Sequence, residues 1–294
     1  MEKFVINEAF LQQGETLEVM LKNSTTGLFG GNHTSKTFGS STEFKDYRDY
    51  QAGDDITKID WNAYARFDKF YLKLYSDERQ VHTKIYIDAS QSMAFDKSKK
   101  AEYALQIAAI LAYISIAQMD KVSIYYIQNN QVHEVITGML GKDSYYSSIG
   151  KLNEIEFKDN SFISESILPT RVGYGDGMSV IISDFLTDHD YERAIDYLVE
   201  KKRDVLCIQV LDKEELVPTV RGKVHFYDCE DTKNEYRKNI NRDIIKAYKQ
   251  ALEYVINRIK NYCQTRNADY MLASTSDSVM ELFLRNLTEI GVLK

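Results

Sequence analysis

Lys84 to Ile87 reads as a short buried strand that stops abruptly at Asp88-Ala-Ser90-Gln-Ser92, and a long helix-like segment follows from Lys97. An apolar run with no polar alternation is the pattern of a strand covered on both faces. From Thr83 onward the same strand–helix–strand alternation recurs, which predicts an α/β fold: a mostly parallel sheet with helices on both faces. Lys84–Asp88 is a strand, and Lys97–Gln118 a helix with apolar residues at Ala101, Ala104, Leu105, Ala108, Leu111 and Ala112. Lys121–Gln128 is a strand, and Asn129-Asn130 turns the chain into Gln131–Ile136 as an antiparallel edge strand. Shorter helices are expected at Lys142–Leu152 and Phe162–Leu168. Met178–Ser183 is a strongly apolar strand ending in Asp184-Phe185. The remainder reads as a helix at His189–Lys201, strands at Asp204–Leu211 and Lys223–Tyr227, and a long amphipathic helix at Asn239–Arg266. A short strand at Asp269–Ala273 and a terminal helix at Ser278–Ile290 complete it.

Ahead of this core, residues 5–22 pattern as an amphipathic helix and Asn23–Ser41 as a Gly/Ser/Thr-rich loop. Residues 43–79 are dense in charged and aromatic side chains. Trp61, the only tryptophan, sits among Ile59, Tyr64 and Phe67. That cluster is expected to be buried, drawing Arg48, Asp54, Asp55, Asp60 and Arg66 into surroundings where charges must pair. The segment reads either as a salt-bridged buttress or as a docking surface; its spacing does not decide. The expected organisation is an N-terminal part, 1–80, mainly β or irregular after its helix, packed on an α/β domain at 81–294.

With 294 residues, 44% hydrophobic and 28% charged, the chain has material for a sizeable core. A net charge of −7 argues against broad binding to nucleic acid or anionic membranes. Cys207, Cys229 and Cys263 are odd in number and widely spaced, and MEKFVINEAF lacks the features of a secretory signal, so a cytoplasmic location is expected. No apolar run reaches the length of a bilayer span. His33, His82, His133, His189 and His225 show no metal-ligand spacing. There is no phosphate-cradling loop: Gly138-x-x-Gly141-Lys142 is too short and follows no buried parallel strand. A G-x-S-x-G nucleophile elbow is missing.

What remains is a carboxylate and two hydroxyls at the carboxyl end of a strand, where open α/β sheets place their ligands. A second strand-end acid, Asp184, comes later in the chain. Oxygen-only ligands suit a hard divalent cation, Mg²⁺ first, with Mn²⁺ or Ca²⁺ also compatible. A plainer reading has Ser90 and Ser92 capping the next helix while Asp88 accepts backbone N–H groups. A third makes Asp88 a phosphoryl-accepting nucleophile in a metal-dependent phosphoesterase. Such an enzyme needs a second acid two residues on; Ser90 stands there, and its hydroxyl is too weak an acid. A structural sheet protein with a vacant site is the remaining alternative.

Residues 81–211 resemble a von Willebrand factor A domain, whose metal-ion-dependent adhesion site uses D-x-S-x-S, a Thr from another loop and a later strand-end Asp. A more specific resemblance is carried by Gly31-Asn-His33-Thr-Ser35, Gly39-Ser-Ser41-Thr-Glu43-Phe44, Asp46-Tyr47-Arg48-x-Tyr50, Gly53-Asp54-Asp55 and Ile59-Asp60-Trp61. Ala65-Arg66, Glu78-Arg79 and Ser183-Asp184-Phe185 extend it. Together these resemble the bacterial domain-of-unknown-function family numbered fifty-eight, often encoded beside MoxR-type AAA+ ATPases. The resemblance runs from about residue 25 to the end. It implies Asp88, Ser90, Ser92 and Asp184 as metal ligands, direct or through water. The family's Thr position falls on Ser161, with Ser164 and Thr170 as fallbacks; Ser keeps the hydroxyl but loses the methyl that stiffens the rotamer. Thr57 stands where the family often carries Arg.

Two carboxylates and neutral hydroxyls would leave a divalent ion attracting a further anionic oxygen, and a partner's Asp or Glu would complete its shell. The expectation is a non-enzymatic adaptor or co-chaperone that binds client proteins and, by the resemblance, works with a MoxR-type AAA+ ATPase.

Overall fold

The computed structural model describes residues 6, 10–12, 15–16, 44–51, 53–75, 81–94, 99–175, 177–187, 190–227 and 235–283. The chain divides into two units, residues 27–80 and residues 1–26 together with 81–294. Residues 1–26 thus go with the larger unit, whereas the sequence reading placed 1–80 together.

In the smaller unit, β1 (Phe44–Asp49) pairs antiparallel with β2 (Tyr71–Tyr75). Between them lie a 3-10 turn at Ile56–Lys58 and the short helix α1 (Trp61–Phe67). Asp60 caps α1, its Oδ1 accepting from the backbone N–H groups of Asn62 (2.9 Å) and Ala63 (3.3 Å). Its Oδ2 takes the Tyr47 hydroxyl at 2.8 Å and lies 3.2 Å from Lys73 Nζ. Arg48 pairs with Asp54 at 2.8 Å, and that hydrogen bond holds the Asp54 carboxyl below its ordinary range. Three of the charged groups that needed partners, Arg48, Asp54 and Asp60, therefore have them.

The burial expected for Trp61 is not found: it is 59% exposed and Phe67 65%. A seven-residue helix over a two-stranded ribbon has one small inner face, which Ile59, Ala63 and Leu72 fill. Trp61 instead stands edge-on to Tyr64 and Phe70, ring centroids 6.2 and 6.3 Å apart. Trp61→Ala is accordingly expected to cost less than about 1 kcal/mol. Indole fluorescence, reporting this residue alone, should be quenched by iodide as readily in the folded protein as in urea; a shielded indole would contradict the placement.

The larger unit is built on a six-stranded sheet in the order β10-β7-β6-β3-β4-β5. Its strands are β3 (His82–Asp88), β4 (Lys121–Gln128), β5 (Gln131–Met139), β6 (Met178–Ser183), β7 (Asp204–Leu211) and β10 (Asp269–Ser274). All neighbours run parallel except β5, which pairs antiparallel with β4 at the edge. Asn129 and Asn130 make that hairpin with left-handed φ values of 50° and 58°, the conformation such two-residue turns require.

The helix α2 (Lys100–Ala117) lies against one face of the sheet, where Ser115 Oγ donates to Thr83 Oγ1 at 3.3 Å. It is long and apolar enough to cross a membrane by length and composition, but 15 of its 18 residues are buried against the protein. A helix apolar all round is the expected form of a core helix. The short helix α3 (Lys142–Ser148) packs on α2, its Tyr145 hydroxyl donating to Ala109 O at 3.1 Å, whereas α4 (Ile163–Ile167) and α5 (Glu192–Glu200) cover the other face. The opposite face buries Tyr86 and Tyr125, stacked at 5.3 Å, with Ile163, Ile167, Ile181 and Ile195. Each such side chain contributes about 1.5–3 kcal/mol on burial.

After β7 come the single turn α6 (Lys213–Leu216), the hairpin β8 (Gly222–Tyr227) with β9 (Glu235–Ile240), and the long helix α7 (Arg242–Thr265). The sequence reading missed β9, because EYRKNI carries no continuous apolar face. It also began the long helix at Asn239; Asn241 is the cap, accepting from Ile244 N at 2.9 Å. Of the expected helix at 5–22, residues 10–12 and 15–16 are helical. Of Ser278–Ile290, residues 279–283 are helical, behind a Ser278–Glu281 capping box. Apart from Ile6 and Ser278, the rest of both, with Asn23–Ser41, Cys229, His33 and His189, lies outside the described residues.

Candidate functional site

Adjacent strands bring the two acids together. The β3–β6 register pairs Ile87 with Ile182, so Asp88 comes level with Ser183, and Asp184 follows at the same end of the sheet. The Ser183 hydroxyl donates to Asp88 Oδ2 at 2.6 Å and accepts from Phe185 N at 3.0 Å. Asp88 Oδ1 accepts from Ser90 N at 2.9 Å. Beyond it, Ser92 in the 3-10 turn Gln91–Ala94 donates to Asp184 Oδ2 at 3.1 Å. Ser92 has then spent its proton, so Ser90 is the donor in the 3.0 Å contact between their hydroxyls. Gln209 on β7 donates to the Asp184 carbonyl at 2.8 Å and is held in turn by the Tyr270 hydroxyl at 2.7 Å. Asp88, Ser90, Ser92 and Asp184 thus form one hydrogen-bonded chain at the carboxyl edge of the sheet.

The loop before α4 supplies the third side. Gln91 N donates to Asp159 O at 2.9 Å and Lys158 N to Ala89 O at 3.0 Å. The Gln128 amide reaches the carbonyls of Ala89, Glu156 and Lys158 at 2.9–3.3 Å. Of the three hydroxyls considered for this loop, Ser164 Oγ accepts from Ala194 N at 3.1 Å and Thr170 Oγ1 donates to Ile167 O at 2.6 Å. Both are engaged in the scaffold. Ser161 is 8% exposed, and its buried Oγ has no hydrogen-bond partner, a state shared in this stretch by Ser166. Leaving a buried hydroxyl unsatisfied costs about 1–3 kcal/mol. Two non-glycine residues at the rim are left-handed, Asp159 (φ 59°) and Phe185 (φ 51°). Asp tolerates this locally; for a buried Phe it is uncommon backbone strain of the kind that collects at functional sites.

One residue the sequence reading overlooked dominates the electrostatics. Lys100 Nζ lies 2.8 Å from Asp184 Oδ2 and 2.7 Å from Glu215 Oε1, with only 3% of its side chain exposed. Burial works against its charge, yet Asp184 and Glu215 together outweigh burial and hold the ammonium above its ordinary range. Glu215 is fixed by the α6 capping box, its Oε2 accepting from Asp212 N at 2.7 Å. Among the described residues Asp88 has no cation partner: burial first, and then the Asp184 charge, push its carboxyl up. With all groups ionised, three carboxylates meet one ammonium, a formal charge of −2 in a largely buried place.

The sequence marks Lys100 only by its place on the helix; its burial and its carboxylate partners come from the fold. Lys100 is the first residue of α2, where the helix dipole disfavours a cation, and Lys99 provides no side-chain cap. A lysine buried at a helix N-terminus must answer to carboxylates elsewhere.

This chain belongs to the family described as "Protein of unknown function DUF58", which matches residues 46–254. Its fold is mixed α/β, built on a mostly parallel six-stranded sheet. The chain is 25% identical over 221 residues to the "Uncharacterized protein Rv1480" of Mycobacterium tuberculosis, covering 73% of this chain and 69% of that one. Among solved structures, an aerotolerance-related membrane protein from Bacteroides fragilis aligns with a TM-score of 0.40 and 16% identity, over 71% of this chain and 99% of the other. The SpRpn10 VWA domain aligns with a TM-score of 0.40 and 10% identity, over 70% and 95%.

Proposed function

We propose that this protein is a non-enzymatic, protein-binding adaptor whose strand-tip cluster takes a divalent cation, Mg²⁺ first, and through it an acidic side chain of a partner. The carrying observation is the uncompensated charge: Asp88 and Asp184 lie side by side, and Lys100 answers only part of the negative charge. The unpartnered Ser161 hydroxyl, on the loop bonded to the Asp88 loop, fits the same reading. Asp88, Ser90, Ser92, Ser161 and Asp184 would hold the ion, an oxygen-only donor set suited to a hard cation. When bound, the ion supplies a coordination position that attracts a carboxylate. Lys100 is the internal counter-ion of Asp184, 2.8 Å from its Oδ2.

A phosphotransfer role is disfavoured because Ser90 occupies the place of the second acid. The MoxR-type AAA+ ATPase as working partner, and a cytoplasmic place of action, rest on the family resemblance and the sequence.

Calorimetric titration with Mg²⁺ and Mn²⁺ tests the site. Wild type should give saturable heat and a raised melting temperature, and Asp88→Ala should give neither. Pull-downs in Mg²⁺ should then recover partners with wild type that Asp88→Ala fails to hold. Absence of heat and of any melting shift in wild type would remove the metal from the reading.

A further inference from the structure

Away from the strand-tip cluster, the turn from α7 into β10 brings two cysteines together. β10 pairs with β7 so that Tyr270 stands beside Cys207. Cys263 comes seven residues before Tyr270, in the last turn of α7. Its carbonyl accepts from Arg266 N at 3.0 Å and from Ala268 N at 2.9 Å. That closing turn, with Asn267 left-handed at φ 55°, folds α7 back over the strand pair. Cys207 and Cys263 are both fully buried, in one cluster with Ile181, Ile259 and Ala268, and their thiols are hydrogen-bonded to each other. Both are free thiols.

The pair is chemically uneven. The hydrogen bond from Cys207 holds the Cys263 thiol below its ordinary range, with burial and Asp269 acting against it. The same bond, and then burial, push the Cys207 thiol up. Cys263 therefore ionises first while Cys207 keeps its proton, a division of roles that makes one thiol the nucleophile and the other its resolving partner. Among the described residues no third side chain joins them in a metal-ligand group, and two thiolates alone do not close a zinc shell. Access comes through α7. Of its 24 residues only Leu252, Ile259 and Cys263 are buried, which makes it the kind of thinly anchored element that opens locally.

We propose that Cys207 and Cys263 form an oxidisable dithiol, which hydrogen peroxide converts into a disulfide that fastens α7 to β7. The Cys263 thiolate attacks one peroxide oxygen and the O–O bond breaks. The hydroxide released takes up the proton that Cys263 had given, and Cys263 becomes a sulfenic acid. The Cys207 sulfur then attacks the Cys263 sulfur and expels its hydroxyl, which leaves as water with the Cys207 proton. Two thiols are oxidised, and one peroxide is reduced to two waters. In a reducing compartment such a bond is transient, a sensor and not a permanent staple. The dithiol shares no residue with the metal reading and is independent of it.

The full chain carrying Cys229→Ser, which leaves this pair as the only cysteines, tests it with hydrogen peroxide in modest excess at neutral pH. The intact mass should fall by two hydrogens, and digestion without reductant should release the Cys207 and Cys263 peptides joined. The melting midpoint should rise by about 5 °C, since the new bond closes a long loop, and dithiothreitol should return it. In the same background Cys207→Ser should gain oxygen at Cys263 instead, with no joined peptide and no rise in the midpoint. Peptide mapping of oxidised wild type reads the partner of each cysteine directly, without any substitution. Thiols that survive peroxide in the folded chain, a Cys263 sulfinic acid without joined peptides, or a joined pair that leaves the midpoint unmoved would each overturn the proposal.

Discussion

Lys100→Met is expected to destabilise the protein by about 3–5 kcal/mol, the cost of breaking a buried ion pair from one side. The variant keeps the packing of the aliphatic stem but leaves Asp184 Oδ2 and Glu215 Oε1 facing each other without the ammonium between them. Equilibrium urea unfolding in EDTA should show the loss. In millimolar MgCl₂ the gap to wild type should narrow, because the cluster then carries a formal charge of −3 and draws a divalent ion more strongly. Sodium chloride at equal ionic strength should not narrow it. A loss below about 1 kcal/mol would mean the triad is no tighter than a surface pair. The pH dependence has a definite sign. Lys100 is raised above its unfolded value of 10.5, so its contribution is complete below that pH. It is lost as pH rises through the higher folded value. The stability difference between wild type and Lys100→Met should therefore hold through neutral pH and collapse only above about pH 10.5.

That triad marks the limit of what the chain discloses by itself. Strands such as MSVIIS and helices such as α2 declare themselves, because continuous apolar runs and helical spacing follow from burial on both faces of a sheet. Asp88 and Asp184 declare themselves too, since each ends such a strand and parallel neighbours finish at one edge. Ser183, Glu215 and Lys100 do not, for their roles depend on which strand ends and helix starts meet across gaps of 95, 115 and 84 residues. Trp61 misled for a related reason: its spacing to Ile59 and Tyr64 promised a core, but a ribbon of two strands has too little inner face to bury it. Lys84 looked like an ordinary interruption in a buried strand. Only the fold shows it 8% exposed, with its ammonium reaching Arg171 O at 3.4 Å.

Gly177→Ala should cost about 3 kcal/mol, through crowding and lost hydrogen bonds together. A Cβ at this position would stand 2.7 Å from the His82 carbonyl oxygen and 2.5 and 2.7 Å from Arg203 Nη1 and Nη2. The carbonyl belongs to β3 and cannot retreat without disturbing its pairing with β4 and β6, so the guanidinium must move. Moving it gives up the bonds to Ser179, Met178 and His82 that tie the starts of β3, β6 and β7. The Gly177 carbonyl, which accepts from Asp204 N at 3.0 Å, keeps the loop from swinging clear. Urea midpoints for Gly177→Ala, Arg203→Lys and the pair separate the two costs. A lysine is slimmer at the point of collision, so the double variant should be less destabilised than the sum of the singles, by about 1 kcal/mol or more. Strict additivity, or a Gly177→Ala cost under about 0.5 kcal/mol, would show that the loop yields and that Arg203 does not clamp these three strand starts.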